Sequence, residues 1–206
     1  MIHLSQGNLK DVEADLATAV RIEPGIANPR IILSAFHVYR NNRAKAMTIL
    51  SEGLTGSKSD AVLYAAMARI MASENRAAEA IRYLQKSKEK DPGAVDPYFM
   101  LADFYVAQRD TAKALAEYSS LLQQHPANTR AFIRMAGLME SENRQNEALI
   151  LYQKAKETHE VAGYLALAHY HEQRGSLKDA QSVYSEARIR FPRSVPVLEQ
   201  QGRFYL

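Results

Sequence analysis

Apolar and polar positions alternate along this chain with the spacing of short amphipathic helices. Residues 61–73 carry apolar side chains three and four residues apart, at Tyr64, Met67, Ala68 and Met71. A second face of the same spacing runs through residues 77–89, and a polar stretch separates the two. The segment Asp91-Pro92-Gly93 ends the second face, because proline lacks an amide N–H and disfavours helix before it. The pattern predicts two short antiparallel helices joined by a tight turn.

This pattern returns every 34 residues. One series of small residues keeps the period and then contracts by two residues: Ala46, Ala80, Ala114, Ala148 and Ala180. A second series marks the first helices: Ala68, Ala102, Ala136 and Ala168. A fixed period of this length predicts a stacked array of repeats, and we expect the alanines to be buried at helix contacts.

The period divides the chain into five complete helix pairs within a single array over residues 1–206. The predicted units are 27–60, 61–94, 95–128, 129–160 and 161–194. Residues 1–26 and 195–206 are predicted partial units. Helix-capping residue types stand where the second helices should begin, at Asn8, Asn42, Asp110 and Ser176.

These units resemble the tetratricopeptide repeat (TPR) family. Position 4 is aromatic in four of the five complete units, and unit 27–60 departs from this with Arg30. Position 24 is large and apolar or aromatic, while positions 8 and 20 are small. The position 4 residues are Tyr64, Tyr98, Phe132 and Tyr164. The resemblance implies an all-α fold, an α-solenoid of antiparallel helix pairs wound into a right-handed superhelix.

Both ends of the chain are expected to be cut from a longer array. The last helix presents Val197, Leu198, Phe204 and Leu206, with no following helix to cover them. Uncapped ends of this kind would allow self-association. The Ala- and Arg-rich units resemble bacterial arrays of cell-envelope and exopolysaccharide-secretion proteins.

Composition argues against several classes of function. The net charge of +3 is small and spread over the repeats, which is unlike the concentrated basic face of a nucleic-acid binder. The chain has no cysteine, so disulfides and thiolate metal sites are excluded. No apolar run is long enough to span a membrane. These features fit a cytoplasmic and a periplasmic location equally well.

No set of residues predicts catalysis, a cofactor or a metal site. His169 and His171 are two residues apart on a helix, so they fall on different faces, whereas metal-binding pairs need a spacing of three or four. His37 and His171 occupy a repeat position that holds Tyr105 elsewhere, which favours core packing. An enzyme is therefore not expected.

In the resembled family, positions 2, 5, 9 and 12 of the first helices line a concave groove that binds peptides. Position 5 predicts a continuous apolar row at Phe99, Ile133 and Leu165 in three successive units, with Phe99 exposed in the groove. Ile31 holds the same position in an earlier unit and is also expected to line the groove. Charged and polar groups accompany that row: Arg69, Asp103, Arg130, Arg134, His169 and Glu172. Apolar anchors flanked by both signs of charge suit a protein segment better than a polyanion.

Three functions follow in order of preference. The first is a non-catalytic scaffold that holds a peptide or helix of a partner protein in its groove, within a bacterial envelope or secretion assembly. The second is a structural spacer or self-assembly segment of a larger protein. RNA binding by a related helical repeat is disfavoured, because no regular set of polar residues recurs at positions 2, 5 or 9.

Overall fold

The computed structural model describes residues 9–206, which form twelve α-helices and no β-strand. In chain order these are α1 (Leu9–Ile22), α2 (Ala27–Tyr39), α3 (Arg43–Ser51), α4 (Asp60–Ser73), α5 (Ala77–Lys90), α6 (Asp96–Ala107), α7 (Thr111–Gln124), α8 (Thr129–Ser141), α9 (Gln145–Glu157), α10 (Val161–Gln173), α11 (Leu177–Arg190) and α12 (Val195–Phe204). The predicted all-α class, built from consecutive helix pairs, is confirmed.

The chain divides into two compact units, Met1–Gln108 and Arg109–Leu206. In the first unit, α2 packs on α3 and α4, and α4 packs on α5, which in turn contacts α6. In the second unit, α8 packs on α9, and α10 packs on α8, α9 and α11. The first helices of neighbouring pairs therefore lie side by side within each unit.

Small residues permit this close packing. Ala80, Ala114, Ala148 and Ala180 have 0% of their surface exposed, which confirms the expected burial. The second alanine series, at Ala68, Ala102, Ala136 and Ala168, is equally buried. Methyl side chains at these points let helices approach, and the larger side chains around them complete the core of each unit.

Two of the predicted capping residues close their helices as expected. The Lys45 N–H donates to Asn42 Oδ1 at 3.2 Å, and the Lys113 N–H donates to Asp110 Oδ1 at 3.1 Å. Ser176 stands at the N-cap of α11, but its side chain accepts no hydrogen bond from the helix, so that prediction is wrong in its chemistry. The cap expected at Asn8 lies outside the described residues.

The last helix buries more of its apolar surface than the sequence predicted. Val197 is 0% exposed, and the Phe204 ring lies 5.3 Å from the Tyr184 ring. The expectation that both would be uncovered is wrong, because α12 packs back on α10 and α11. Leu198 and Leu206 are exposed, as expected.

Candidate functional site

A cleft of about 520 Å³ opens on the first helices of the first unit. It brings together side chains at positions 2, 5 and 9 of the repeats, which is where the family resemblance implies a groove. We call this cleft the groove, and its lining includes Asn28, Ile31, Val62, Ala65, Arg69 and Asp96. Of the site residues expected from the sequence, the structure thus brings Ile31 and Arg69 together here.

The floor of the groove is formed by apolar side chains that are small or partly exposed. Ala65 is 7% exposed and Ile31 is half-buried, whereas Val62 has 49% of its surface exposed. Small side chains on α4 leave room above the helix, and Val62 presents two methyl groups to that space. Such a surface stabilises a bound aliphatic side chain through burial.

Charged groups of opposite sign bridge the mouth of the groove. Arg69 Nη2 on α4 lies 3.0 Å from Asp96 Oδ2 on α6. Both side chains are more than half exposed, at 56% and 66%. An exposed pair of this kind contributes about 0.2–1 kcal/mol, so a ligand bearing either charge could replace one partner at small cost.

Phe99 does not line the groove. It is 3% exposed, so the prediction of an exposed anchor at this position is wrong. The residues Pro97, Tyr98, Phe99, Leu101 and Ala102 of α6 are all buried. Most of the apolar side chains in the first half of α6 are buried, so this helix presents no exposed apolar side chain at position 5. Asp103 on the same helix is exposed, as expected.

The second unit holds the remaining site residues predicted from the sequence. Ile133 and Leu165 are half-buried and pack against the core of this unit, while Arg130 and Arg134 are exposed. His169 is exposed, and its Nε2 lies 2.8 Å from Gln173 Nε2. The apolar pair therefore offers only part of its surface, with the two arginines beside it in sequence on α8.

Glu172 has a structural partner that the groove positions did not predict. The Tyr184 hydroxyl donates to Glu172 Oε2 at 3.1 Å, and the Tyr152 hydroxyl donates to Glu140 Oε2 at 2.7 Å. Each pair joins position 12 to position 24 of one repeat. The signal for it was a Glu and a Tyr twelve residues apart in two successive units.

These contacts change how the tyrosines titrate. Burial, and then the hydrogen bond to Glu172, raise the pKa of Tyr184 to about 12. Burial and the bond to Glu140 also raise the pKa of Tyr152. Both hydroxyls therefore stay protonated as donors and hold the two helices of each pair together.

The histidines follow the predicted packing. His37 is 4% exposed, and burial, which is stronger than the influence of Glu13, lowers its pKa. His171 is half-buried beside Tyr170, with ring centroids 5.7 Å apart. Within residues 9–206, no cluster of His, Asp or Glu has the arrangement of a metal site. No helix in the described part of the chain is both long and apolar enough to cross a bilayer.

Comparison with known proteins places these features in context. The model of one protein family, described as ChAPs (Chs5p-Arf1p-binding proteins), matches residues 14–173. No curated protein is similar enough to match the chain. Neither the family model nor the structural neighbours indicate an enzymatic family.

Similar solved structures include PilF from Pseudomonas aeruginosa, at 16% identity and a TM-score of 0.62, covering 98% of this chain and 92% of that one. A TPR protein from Parabacteroides merdae has 18% identity and a TM-score of 0.58, covering 87% and 72%. YrrB, described as a TPR protein with an unusual peptide-binding site, has 16% identity and a TM-score of 0.51, covering 91% and 97%. All are TPR proteins, so the predicted TPR fold is confirmed, and the bacterial resemblance fits these neighbours.

Proposed function

The chain belongs to the ChAPs family of Chs5p-Arf1p-binding proteins, and we propose on this premise that it is a non-catalytic scaffold that binds a segment of a partner protein. The family name records two protein ligands for its members. YrrB, which shares the fold, is described as having a peptide-binding site. Both descriptions support a protein ligand here. Helical-repeat arrays commonly bind through extended concave surfaces.

The observation that carries this proposal is the groove on α2, α4 and α6. In the floor of the groove Ala65 is nearly buried, whereas Val62 has about half of its surface exposed and available to a ligand. An aliphatic side chain of the partner would pack over Val62 and Ile31, where it displaces water from both. Arg69 and Asp96 would then fix the register of the partner through hydrogen bonds at the mouth.

The second unit offers a candidate contact surface of its own in this proposal. Ile133 and Leu165 each retain some exposed apolar surface, and Arg130 and Arg134 supply positive charge nearby in sequence. His169 is exposed on α10 and is included with them. A partner segment with apolar residues and carboxylates on one face suits this set better than a polyanion, which would be repelled by Glu140 on the same helix as the two arginines.

We propose as a narrower role that the partner belongs to a bacterial cell-envelope or exopolysaccharide-secretion assembly. The support for it is the resemblance of the Ala- and Arg-rich repeats to arrays in such proteins. A spacer or self-assembly role is the second candidate, favoured by the exposed apolar side chains of Val195 and Leu198 on α12 and of Tyr205 directly after it.

Val62→Glu tests the groove directly. Twelve-residue peptides would be selected by phage display on the immobilised wild-type chain, and the tightest would be measured by fluorescence anisotropy. Glutamate at Val62 buries a charge under the bound segment, so we expect affinity to fall about tenfold or more, which is ~1.4 kcal/mol. Ile150→Glu on α9 is the matched control, since Ile150 is 51% exposed against 49% for Val62. It should change affinity less than about twofold.

Equal losses in the two variants would contradict a role for the groove. A selection that yields no binding peptide would leave the spacer or self-assembly role as the better function. Melting curves of both variants would show whether either glutamate unfolds the chain.

A further inference from the structure

A second depression of about 360 Å³ lies among α3, α4 and α5 of the first unit. Its walls include Met47, Leu54, Tyr64, Met67, Tyr83 and Lys86, and we call it the tyrosine notch. It shares no lining residue with the groove. A ligand in the notch would therefore contact different side chains from a ligand in the groove.

The notch has apolar side chains in its walls beside the hydroxyl groups of Thr48 and Ser51, and it is adaptable in shape. Met67 is 2% exposed, and Met47 and Leu54 are partly buried against the core of the first unit. The rings of Tyr64 and Tyr83 lie 6.3 Å apart and are inclined by 25°. Two nearly parallel tyrosines form a flat wall against which a third aromatic ring can pack. Methionine side chains adjust to ligands of irregular shape.

Lys86 places a positive charge at the rim. Its Nζ lies 5.6 Å from the centre of the Tyr64 ring and 5.9 Å from that of Tyr83. Among the residues that the structure describes, no carboxylate lies within ion-pair distance of this amine, and the side chain is exposed. Arg82 precedes it by one helical turn and adds to the positive charge on the same face of α5.

Lys86 differs in this respect from two other lysines of the first unit, whose ammonium groups are paired with carboxylates. Lys58 Nζ lies 3.2 Å from Asp91 Oδ1, and Lys45 Nζ lies 2.8 Å from Glu13 Oε1. A free ammonium group over two tyrosines can accept a carboxylate without breaking an existing ion pair. The methionine, leucine and tyrosine side chains of the walls, together with the unneutralised cation, favour a ligand that combines an aromatic or aliphatic group with negative charge.

We propose that the tyrosine notch is a second docking site, for a protein segment that carries an aromatic side chain flanked by carboxylates. The aromatic ring packs beside Tyr83 and against Met47. A flanking carboxylate pairs with Lys86, and a second lies toward Arg82. This site goes beyond the proposed function, because it shares no lining residue with the groove and would hold a different segment.

The test uses a fluorescein-labelled dodecapeptide in which one phenylalanine stands among glutamates and serines. Two control peptides replace the phenylalanine with alanine or the glutamates with lysines. Anisotropy titrations with the full chain would measure binding of each. We expect the acidic phenylalanine peptide to bind at least about tenfold more tightly than either control, because only it satisfies both the rings and Lys86.

Three variants of the chain then locate the bound peptide. Lys86→Glu should weaken binding about tenfold or more, and Tyr83→Leu several-fold, since leucine keeps the apolar volume but not the ring. Leu151 occupies the position of Tyr83 in another repeat, so the leucine variant should fold. Lys154→Glu is the matched control: it changes an exposed lysine at the same repeat position of the second unit.

The proposal is overturned if the three peptides bind alike, or if Lys86→Glu and Lys154→Glu weaken binding equally. It is also overturned if Val62→Glu removes binding while Lys86→Glu does not, because the peptide would then occupy the groove. Loss in Lys86→Glu alone, with a melting curve like that of the wild type, supports the notch. A failed notch leaves the groove selection unaffected, so the two proposals are tested separately.

Discussion

A single residue in a left-handed conformation reverses the chain inside each helix pair. Position 15 of successive repeats has φ between 59° and 70°, at Asn41, Asn75, Arg109, Asn143 and Gly175. Asparagine and glycine adopt this conformation at the lowest cost, which explains four of the five choices. The following N–H then closes the turn: Arg76 N donates to the Met71 carbonyl at 2.9 Å, as in a Schellman motif.

Gly163 meets a stricter requirement, because its helix approaches the backbone of another. A Cβ atom at this position would lie 2.0 Å from the Ala155 carbonyl oxygen and 2.9 Å from the Lys156 nitrogen. The preceding unit is two residues short, and α9 joins α10 through a turn in which His159 has a φ of 64°. The short turn brings α10 against the end of α9, where only glycine fits.

Gly163→Ala should therefore destabilise the protein even though alanine is the better helix former. Backbone atoms cannot move aside as a flexible side chain can, so we expect a loss of about 1–3 kcal/mol. Gly137→Ala is the control, since nothing lies within 4 Å of a Cβ at that helical position. It should stabilise the chain by roughly 0.5–1 kcal/mol. Urea denaturation followed by circular dichroism would measure both, and a Gly163→Ala variant as stable as Gly137→Ala would contradict the close approach.

At the scale of helices, the features that recur in successive repeats could be predicted from the sequence. Each alanine position recurs in several units, so the helix pairs and their close contacts could be located from the amino-acid sequence alone. Phe99 could not be placed correctly, because exposure at position 5 depends on what covers α6 and not on its spacing. The hydrogen bond of Glu172 to Tyr184 was not predicted either, because it depends on the rotamers of both side chains.

Arg30 shows the same limit. It stands at a position that is aromatic in other units, yet it is 9% exposed, and its Nη1 donates to the Ile49 carbonyl at 3.2 Å. Gly53 makes this possible, because a Cβ there would lie 2.5 Å from Arg30 Cδ. The missing side chain of Gly53 thus makes room for the larger Arg30, although the two residues are 23 positions apart in sequence. A repeat pattern read one position at a time does not reveal such compensation.

Ala148→Leu tests the packing of one helix pair. Ala148 on α9 is 0% exposed within the core that includes Ala136 and Tyr152. Three added heavy atoms would force α9 away from α8, at a cost of about 1–3 kcal/mol. Ile150→Leu on the same helix, where the side chain is 51% exposed, should change stability by less than about 0.5 kcal/mol. Thermal melts would compare the two, and an unshifted melt for Ala148→Leu would show that the repeat register is misassigned.

For the molecule as a whole, charge and pH act on stability through groups whose pKa differs between the folded and unfolded states. Asp60 is 1% exposed; burial opposes its ionisation, but hydrogen bonds from Thr55 and the Gly56 N–H prevail and lower its pKa. A carboxyl with a lowered pKa stabilises the fold above its unfolded pKa and loses that contribution as the pH falls. Tyr152 and Tyr184 act at the other end of the pH scale, because their pKa values are raised.

Tyr184→Phe isolates the alkaline effect. The unfolded chain releases this phenol proton near its ordinary pKa of 10.0, whereas the folded chain holds it to about 12. Between these values the folded state binds more protons, so the free energy of unfolding must fall as the pH rises. The contribution of the protonated hydroxyl is complete below pH 10 and lost across the interval to pH 12. Phenylalanine has no proton to lose, so the variant should lose less stability over this range than the wild type does.

Tyr205→Phe is the matched control, because Tyr205 is 57% exposed at the end of α12. Lysine and arginine side chains titrate in the same way in all three proteins, so the differences between their stability curves report the tyrosines alone. Urea midpoints measured from about pH 8 to pH 11, which spans the ordinary tyrosine pKa, should fall in parallel for the wild type and Tyr205→Phe and less steeply for Tyr184→Phe. Parallel curves for all three proteins would mean that burial and the bond to Glu172 do not hold the phenol proton of Tyr184 in the folded protein. Glu172 would then not be held by Tyr184 and would be free to contact a partner, as the sequence alone predicted.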